Sequence, residues 1–126
     1  MFNDTLYHIL HHESIDAFHS RFTLSFNPAH PIFAAHFPGR PMLPGVCSVE
    51  IIRELLSSML GGSCRITDIK NLKFTEIIIP HPELRCLFDI AVALEGDAGV
   101  VKATITSEDA SKCYTKLSMQ ISKHAL

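Results

Sequence analysis

Between Gly45 and the Gly61-Gly62 pair lies the segment that most restricts what this chain can fold into. Val46, Val49, Ile52, Leu55, Leu56, Met59 and Leu60 recur at helical spacing, Cys47 and Ile51 lie beside that stripe, and the two glycines supply a stop. Glu50, Arg53, Glu54 and Ser57 form the opposite, polar stripe. A helix with so much apolar surface is buried on most sides, so the rest of the chain has to wrap it.

The rest reads as strand and loop. Phe18, Phe22, Leu24 and Phe26 share one parity, with His19, Arg21, Thr23 and Ser25 on the other, the period of a half-buried strand ended by Asn27-Pro28. After the helix, Ile66 to Phe74 is weakly patterned and leads into an apolar run, Ile77-Ile78-Ile79, closed by Pro80. Leu84, Cys86, Phe88, Ile90, Val92 and Leu94 alternate, a Gly96-Asp97-Ala98-Gly99 turn follows, and Val100 to Thr106 forms the next run. Beyond a polar turn at Ser107 to Lys112, Cys113, Thr115, Leu117, Met119 and Ile121 alternate with Tyr114, Lys116, Ser118 and Gln120. One long helix followed by an antiparallel meander of three or four strands is an α+β plan, with the helix packed across a curved sheet. A single helix covers one face of such a sheet, so dimerisation through an edge strand is expected.

The 126 residues suit one domain, 1–126. With 47% hydrophobic and 19% charged residues the chain has a globular composition on the apolar side, and a net charge of −2 gives no broad basic face for nucleic acid. Cys47, Cys64, Cys86 and Cys113 are scattered singly, and Met1-Phe2-Asn3-Asp4 lacks the basic-then-apolar pattern of a signal peptide. Reduced thiols and a cytoplasmic location are the expectation. Apolar stretches are broken well short of the ~20 residues that span a bilayer, and the histidines lack metal-ligand spacing.

From His30 to Pro44 the chain is dense in proline (Pro31, Pro38, Pro41, Pro44), which predicts a stiff, ordered loop rather than a helix. Such a loop holds His36 in place and delivers the chain to Gly45, where unpaired N–H groups and the positive end of the helix dipole favour a developing anion. Glu50 follows just over one turn later. An imidazole, a carboxyl group and an N–H-lined anion site are the parts needed to enolise a carbonyl compound. Each also has a plainer reading: His36 bonded to a backbone carbonyl, Glu50 paired along a solvated stripe, and Pro-Gly as helix punctuation.

The run His36-Phe-Pro-Gly-Arg-Pro41-Met-Leu-Pro-Gly45-Val-Cys-Ser-Val-Glu50 resembles the signature of the β-hydroxyacyl-[acyl carrier protein] dehydratases, the FabZ/FabA-like group of hotdog proteins. The Asp68 to Phe74 stretch resembles the family strand that carries a Lys-Phe pair. The resemblance implies a hotdog fold and dehydration of 3-hydroxyacyl thioesters to trans-2-enoyl thioesters in fatty-acid or related lipid, polyene or polyketide-type biosynthesis. It makes His36 the base for the α-proton, the backbone N–H groups of Gly45 and Val46 the oxyanion site, and Glu50 of the partner subunit the group that assists departure of water. It implies no cofactor beyond the phosphopantetheine that carries the substrate. The partners are an acyl carrier protein and a second copy in a homodimer with shared sites, with a trimer of dimers left open. Phe33, Phe37, Met42, Leu43 and Leu56 are candidates to line the acyl pocket.

Three departures stand out: Ala35 where a glycine usually precedes the histidine, Ile51 to Glu54 where small residues and a glutamine are usual, and Pro80-His81-Pro82-Glu83 in place of a Pro-Gly-Asp turn. Two carboxylates one turn apart, Glu50 and Glu54, can raise each other's pKa, and Arg53 can offset that. The departures point to a specialised dehydratase rather than the general enzyme of fatty-acid elongation. A catalytically silent hotdog subunit and a hotdog thioesterase are the alternatives.

Overall fold

The structure is a computed structural model that describes residues 2–35 and 39–123. Strand β1 (Tyr7–Asp16) and strand β2 (His19–Phe26) lead to a one-turn helix α1 (Pro31–Ala35) and the long helix α2 (Gly45–Leu60). Strands β3 (Cys64–Phe74), β4 (Cys86–Glu95), β5 (Ala98–Ser107) and β6 (Cys113–Lys123) complete one antiparallel sheet in the order β1-β2-β4-β5-β6-β3. This is the hotdog architecture, α+β, with β1 and β3 as its two open edges.

Helix α2 is as buried as its composition demands: Cys47, Ser48, Val49, Ile51, Ile52, Leu55 and Leu56 are all buried. They belong to one core with Phe22, Leu24 and Phe26 of β2, Cys86, Phe88, Ile90 and Val92 of β4, Val101, Ala103 and Ile105 of β5, and Leu117, Met119 and Ile121 of β6. In β2, β4, β5 and β6 every second residue therefore faces the helix, as the pleat requires. The helix ends on Gly61 at φ +73°, where the N–H groups of Gly61 and Gly62 return to the carbonyls of Ser58 and Ser57. That is a Schellman closure, which needs the left-handed residue glycine supplies.

The other face of the sheet is polar. His19 Nε2 lies 2.8 Å from Asp89 Oδ1, Arg21 Nε donates to Asp89 Oδ2 at 2.7 Å, and Lys102 and Lys116 are exposed nearby.

Four local readings are corrected. The proline-dense stretch contains the helix turn α1, because Pro31 occupies the first helical position, where its missing N–H is harmless. His30 helps that turn, accepting the Ile32 N–H on Nδ1 at 3.0 Å. Phe18 lies in the β1–β2 turn, 48% exposed, so the inward row of β2 begins with buried Ser20. Ile77-Ile78-Ile79 is outside the sheet: the backbone of Ile78 bonds to Leu43 N–H in the loop before α2, at 2.8 Å, and Ile78 alone of the three is buried. That segment passes near Tyr114, which is buried although its parity in β6 points it outward. Strand β1 carries almost no burial signal and is held by its ladder to β2, with irregularities at Ile9/His11 and Ser14/Asp16.

Candidate active site

The entrance to α2 is built by the loop before it and the end of β3. Pro44 is extended (φ −60°, ψ 141°) and supplies no side-chain cap, so the first helical N–H groups, those of Gly45 and Val46, have no partner among the described residues. Cys47 N–H is the first to return to the Pro44 carbonyl, at 2.9 Å. Two bare donors at the positive end of a helix form an anion-accepting position.

A cavity of about 350 Å³ opens at this point, lined by Met42, Leu43, Pro44, Gly45, Ser48, Phe74, Thr75, Glu76, Ile77, Ile78 and Thr115. Most of these are apolar, and Ser48 and Thr115 are buried polar groups beside the helix entrance. Gly45 is required here by space: a Cβ on it would stand 2.5 Å from the Phe74 ring. Phe74 is 51% exposed and can swing, so Gly45→Ala is expected to leave the melting temperature nearly unchanged while displacing the ring and narrowing the helix mouth. In a turnover assay the loss caused by Gly45→Ala should be partly relieved when Phe74→Ala is added, a non-additive pair by double-mutant cycle.

Glu50, two positions beyond Ser48 on the helix, does not line this cavity. Arg53 Nε donates to its Oε1 at 2.8 Å and Arg53 Nη2 to its Oε2 at 2.6 Å, a two-pronged fork, while Arg53 Nη1 donates to the Cys64 carbonyl at 3.2 Å where β3 begins. The fork holds the Glu50 carboxyl below its usual range, and partial burial works against it without prevailing. The expected mutual raising of two carboxylates therefore does not occur at Glu50. Glu54 has its own partners: both of its oxygens accept the Phe2 N–H at 3.1 Å, and Oε1 accepts the Tyr7 hydroxyl at 3.0 Å. Burial of Tyr7, reinforced by that bond, pushes its phenol well above the usual range. The Cys47 thiol is also pushed up, by burial and then by the Glu50 charge, which suits a packing residue rather than a nucleophile.

Among the residues expected at the site, Met42, Leu43 and Gly45 line the cavity. Val46 turns its side chain to solvent at 75% exposure and contributes through its backbone. Phe33 and Leu56 are packed into the core at 4% and 0% exposure and do not line this cavity. His36 and Phe37 lie outside the described residues. Sequence reasoning missed Ser48, Thr75, Glu76 and Thr115, which reach the helix entrance from three separate elements; for Phe74 the Lys-Phe pair was the signal. Among the described residues no helix is long and apolar enough to cross a membrane.

Comparison with known proteins places these features. The family profile described as "ApeI-like: ApeI dehydratase" matches residues 12–116. The 3-hydroxyacyl-[acyl-carrier-protein] dehydratase FabZ of Enterococcus faecalis is 31% identical over 98 residues, which are 72% of this chain and 67% of that protein. A solved structure titled the dehydratase heterocomplex ApeI:P from Xenorhabdus doucetiae superposes with a TM-score of 0.75 at 18% identity, over 91% of this chain and 96% of that one. The (R)-hydratase from A. caviae involved in PHA biosynthesis superposes with a TM-score of 0.68 at 15% identity, over 89% of this chain and 99% of that one.

Proposed function

This chain belongs to the family of ApeI-like dehydratases, and on that premise we propose that it removes water from a 3-hydroxyacyl thioester carried on the phosphopantetheine arm of an acyl carrier protein, leaving the trans-2-enoyl thioester. The observation that carries the proposal is the pair of unpartnered N–H groups at Gly45 and Val46 opening onto an apolar cavity of about 350 Å³. A thioester oxygen seated there gains negative charge as the α-proton leaves, and preorganised donors stabilise that charge in the transition state more than in the ground state. His36 is the base that removes the proton, and Glu50 assists departure of the β-hydroxyl as water.

The working unit we propose is a homodimer. Glu50 does not line the cavity of its own chain, which fits a carboxylate that serves the partner's cavity, with His36 of one protomer facing Glu50 of the other. The chain acts in the cytoplasm. Ala35 and the Ile51 to Glu54 stretch favour a specialised lipid, polyene or polyketide-type pathway over general fatty-acid elongation.

A second reading, a silent subunit that pairs with an active dehydratase, draws on one observation: both oxygens of Glu50 are already engaged by Arg53. The test is to incubate the purified protein with 3-hydroxyacyl and trans-2-enoyl thioesters of several chain lengths, following the absorbance of the conjugated enoyl thioester together with free thiol. Interconversion without thiol release is the expected result. Thiol release indicates a thioesterase, and no turnover of any substrate indicates the silent subunit.

A further inference from the structure

The fork between Arg53 and Glu50 is more than a helix-surface ion pair. Pairs three residues apart on a helix are weak when both side chains are free to move. Here the Glu50 and Arg53 side chains are 29% and 26% exposed, and Arg53 is tied at its third nitrogen to the Cys64 carbonyl at 3.2 Å. Ser57 fastens the same junction, donating to the Arg53 carbonyl at 2.9 Å and accepting the Cys64 N–H at 3.2 Å. The guanidinium is thus fixed by the start of β3 and presents a planar fork to the carboxylate, a match that a lysine ammonium cannot reproduce.

We infer that Arg53 is a positioning residue that holds the Glu50 carboxylate in one orientation as a hydrogen-bond acceptor, so that Glu50 orients the departing β-hydroxyl without supplying its proton; this rests on the dehydratase reading above. Among the described residues, the groups that interact electrostatically with Glu50 are Arg53, Glu54 and Cys47 on α2 and Tyr7 on β1. The Arg53 hydrogen bonds are the largest of these influences and lower the Glu50 pKa from its ordinary value. Each carboxylate oxygen still has a lone pair for a substrate hydroxyl after accepting from Arg53.

The chemistry then needs only one mobile proton. The Cα–H bond breaks to the His36 imidazole, and its electron pair becomes the second bond between Cα and Cβ. The Cβ–O bond breaks with its pair on oxygen, and the imidazolium returns the proton to that oxygen, which leaves as water. Glu50 accepts the hydrogen bond that points the hydroxyl at the imidazolium and ends the cycle unchanged.

The test is a carboxyl-carbon NMR titration of the full chain labelled at glutamate side-chain carboxyls, with Glu50 assigned by the resonance lost in Glu50→Gln. Wild-type Glu50 should stay ionised below the ordinary glutamate range, Arg53→Met should raise its midpoint by about one pH unit or more, and Arg53→Lys should fall between them. In parallel, Arg53→Met should lower kcat about tenfold with KM within about twofold of wild type, and Arg53→Lys should recover part of the loss. A Glu50 titration unmoved by Arg53→Met, or wild-type kcat in that variant, overturns the inference. Absence of turnover by the wild type overturns the dehydratase reading and the proton assignment with it. The titration needs no turnover, and so separates that failure from a failure of the Arg53–Glu50 coupling.

Discussion

Alanine at position 36 and glutamine at position 50 should each lower the dehydration rate by ~10²–10⁴-fold, the range lost when a positioned acid–base group is removed. The two variants should also rescue each other. Glu50 lies on the polar stripe of α2, with its carboxylate tied to Arg53, and does not line the cavity that begins at Gly45. If the partner subunit provides the carboxylate, a dimer of one His36→Ala chain and one Glu50→Gln chain holds one fully substituted site and one intact site. Random reassortment makes half of the dimers mixed, so activity should return to about a quarter of wild type. Steady-state rates before and after mild denaturation and refolding of the mixture measure this. No recovery, with mixed dimers demonstrated by tag pull-down, places both residues in one chain's site.

Phe88→Ala should destabilise the fold by ~3–5 kcal/mol, the usual range for removing a fully buried phenylalanine, because the surrounding core closes only part of the cavity. Phe88, the third residue of β4, is 0% exposed and paired with Phe22 of β2 on one side and Ile105 of β5 on the other, both of them buried too. Its ring belongs to the sheet surface that α2 covers. Against a total stability of ~5–15 kcal/mol for an ordinary domain, this loss removes a large share. Urea denaturation should show a much lower midpoint with an unchanged slope. The half-exposed Phe74 is the control: its alanine variant should stay within ~1 kcal/mol of wild type. Equal effects at the two positions would contradict the assignment of the core.

The helix was the most legible element because two independent signals agreed on it. Its apolar period ran from Val46 to Leu60, and Gly61 carried the left-handed stop. Strands β4, β5 and β6 were legible for a related reason: one face of each meets the helix, so burial writes a period of two into the sequence. Strand β1 was not, since nearly all of it is exposed and its ladder to β2 uses backbone groups that leave no mark on residue type. Ile77-Ile78-Ile79 misled for the opposite reason: its composition suits a strand, but the β6 ladder beside β3 ends at the Phe74–Thr115 pair, and Ile78 finds its backbone partner in the loop at Leu43.

At the site, Gly45 and the Pro44 entrance could be read from the motif, because spacing to Glu50 fixes them on the helix. Thr75, Glu76 and Thr115 could not, since they converge only through the pairing of β3 with β6. The state of Glu50 also needed the fold. Sequence spacing admitted Glu54 and Arg53 equally as its neighbours, whereas in the structure Arg53 forks onto Glu50 and Glu54 also accepts from Phe2 and Tyr7. Fixing Arg53 against Cys64 is a contact between the helix and the start of the next strand, and no local pattern announces it.

The most direct test is the mass of an acyl carrier protein loaded with a 3-hydroxyacyl chain, read by intact-protein mass spectrometry after incubation with this protein. The account predicts a species lighter by the mass of one water in the presence of the wild type, formed ~10²–10⁴-fold more slowly with His36→Ala or Glu50→Gln. Loss of the whole acyl group, or a mass unchanged for carriers of every chain length tried, would contradict it.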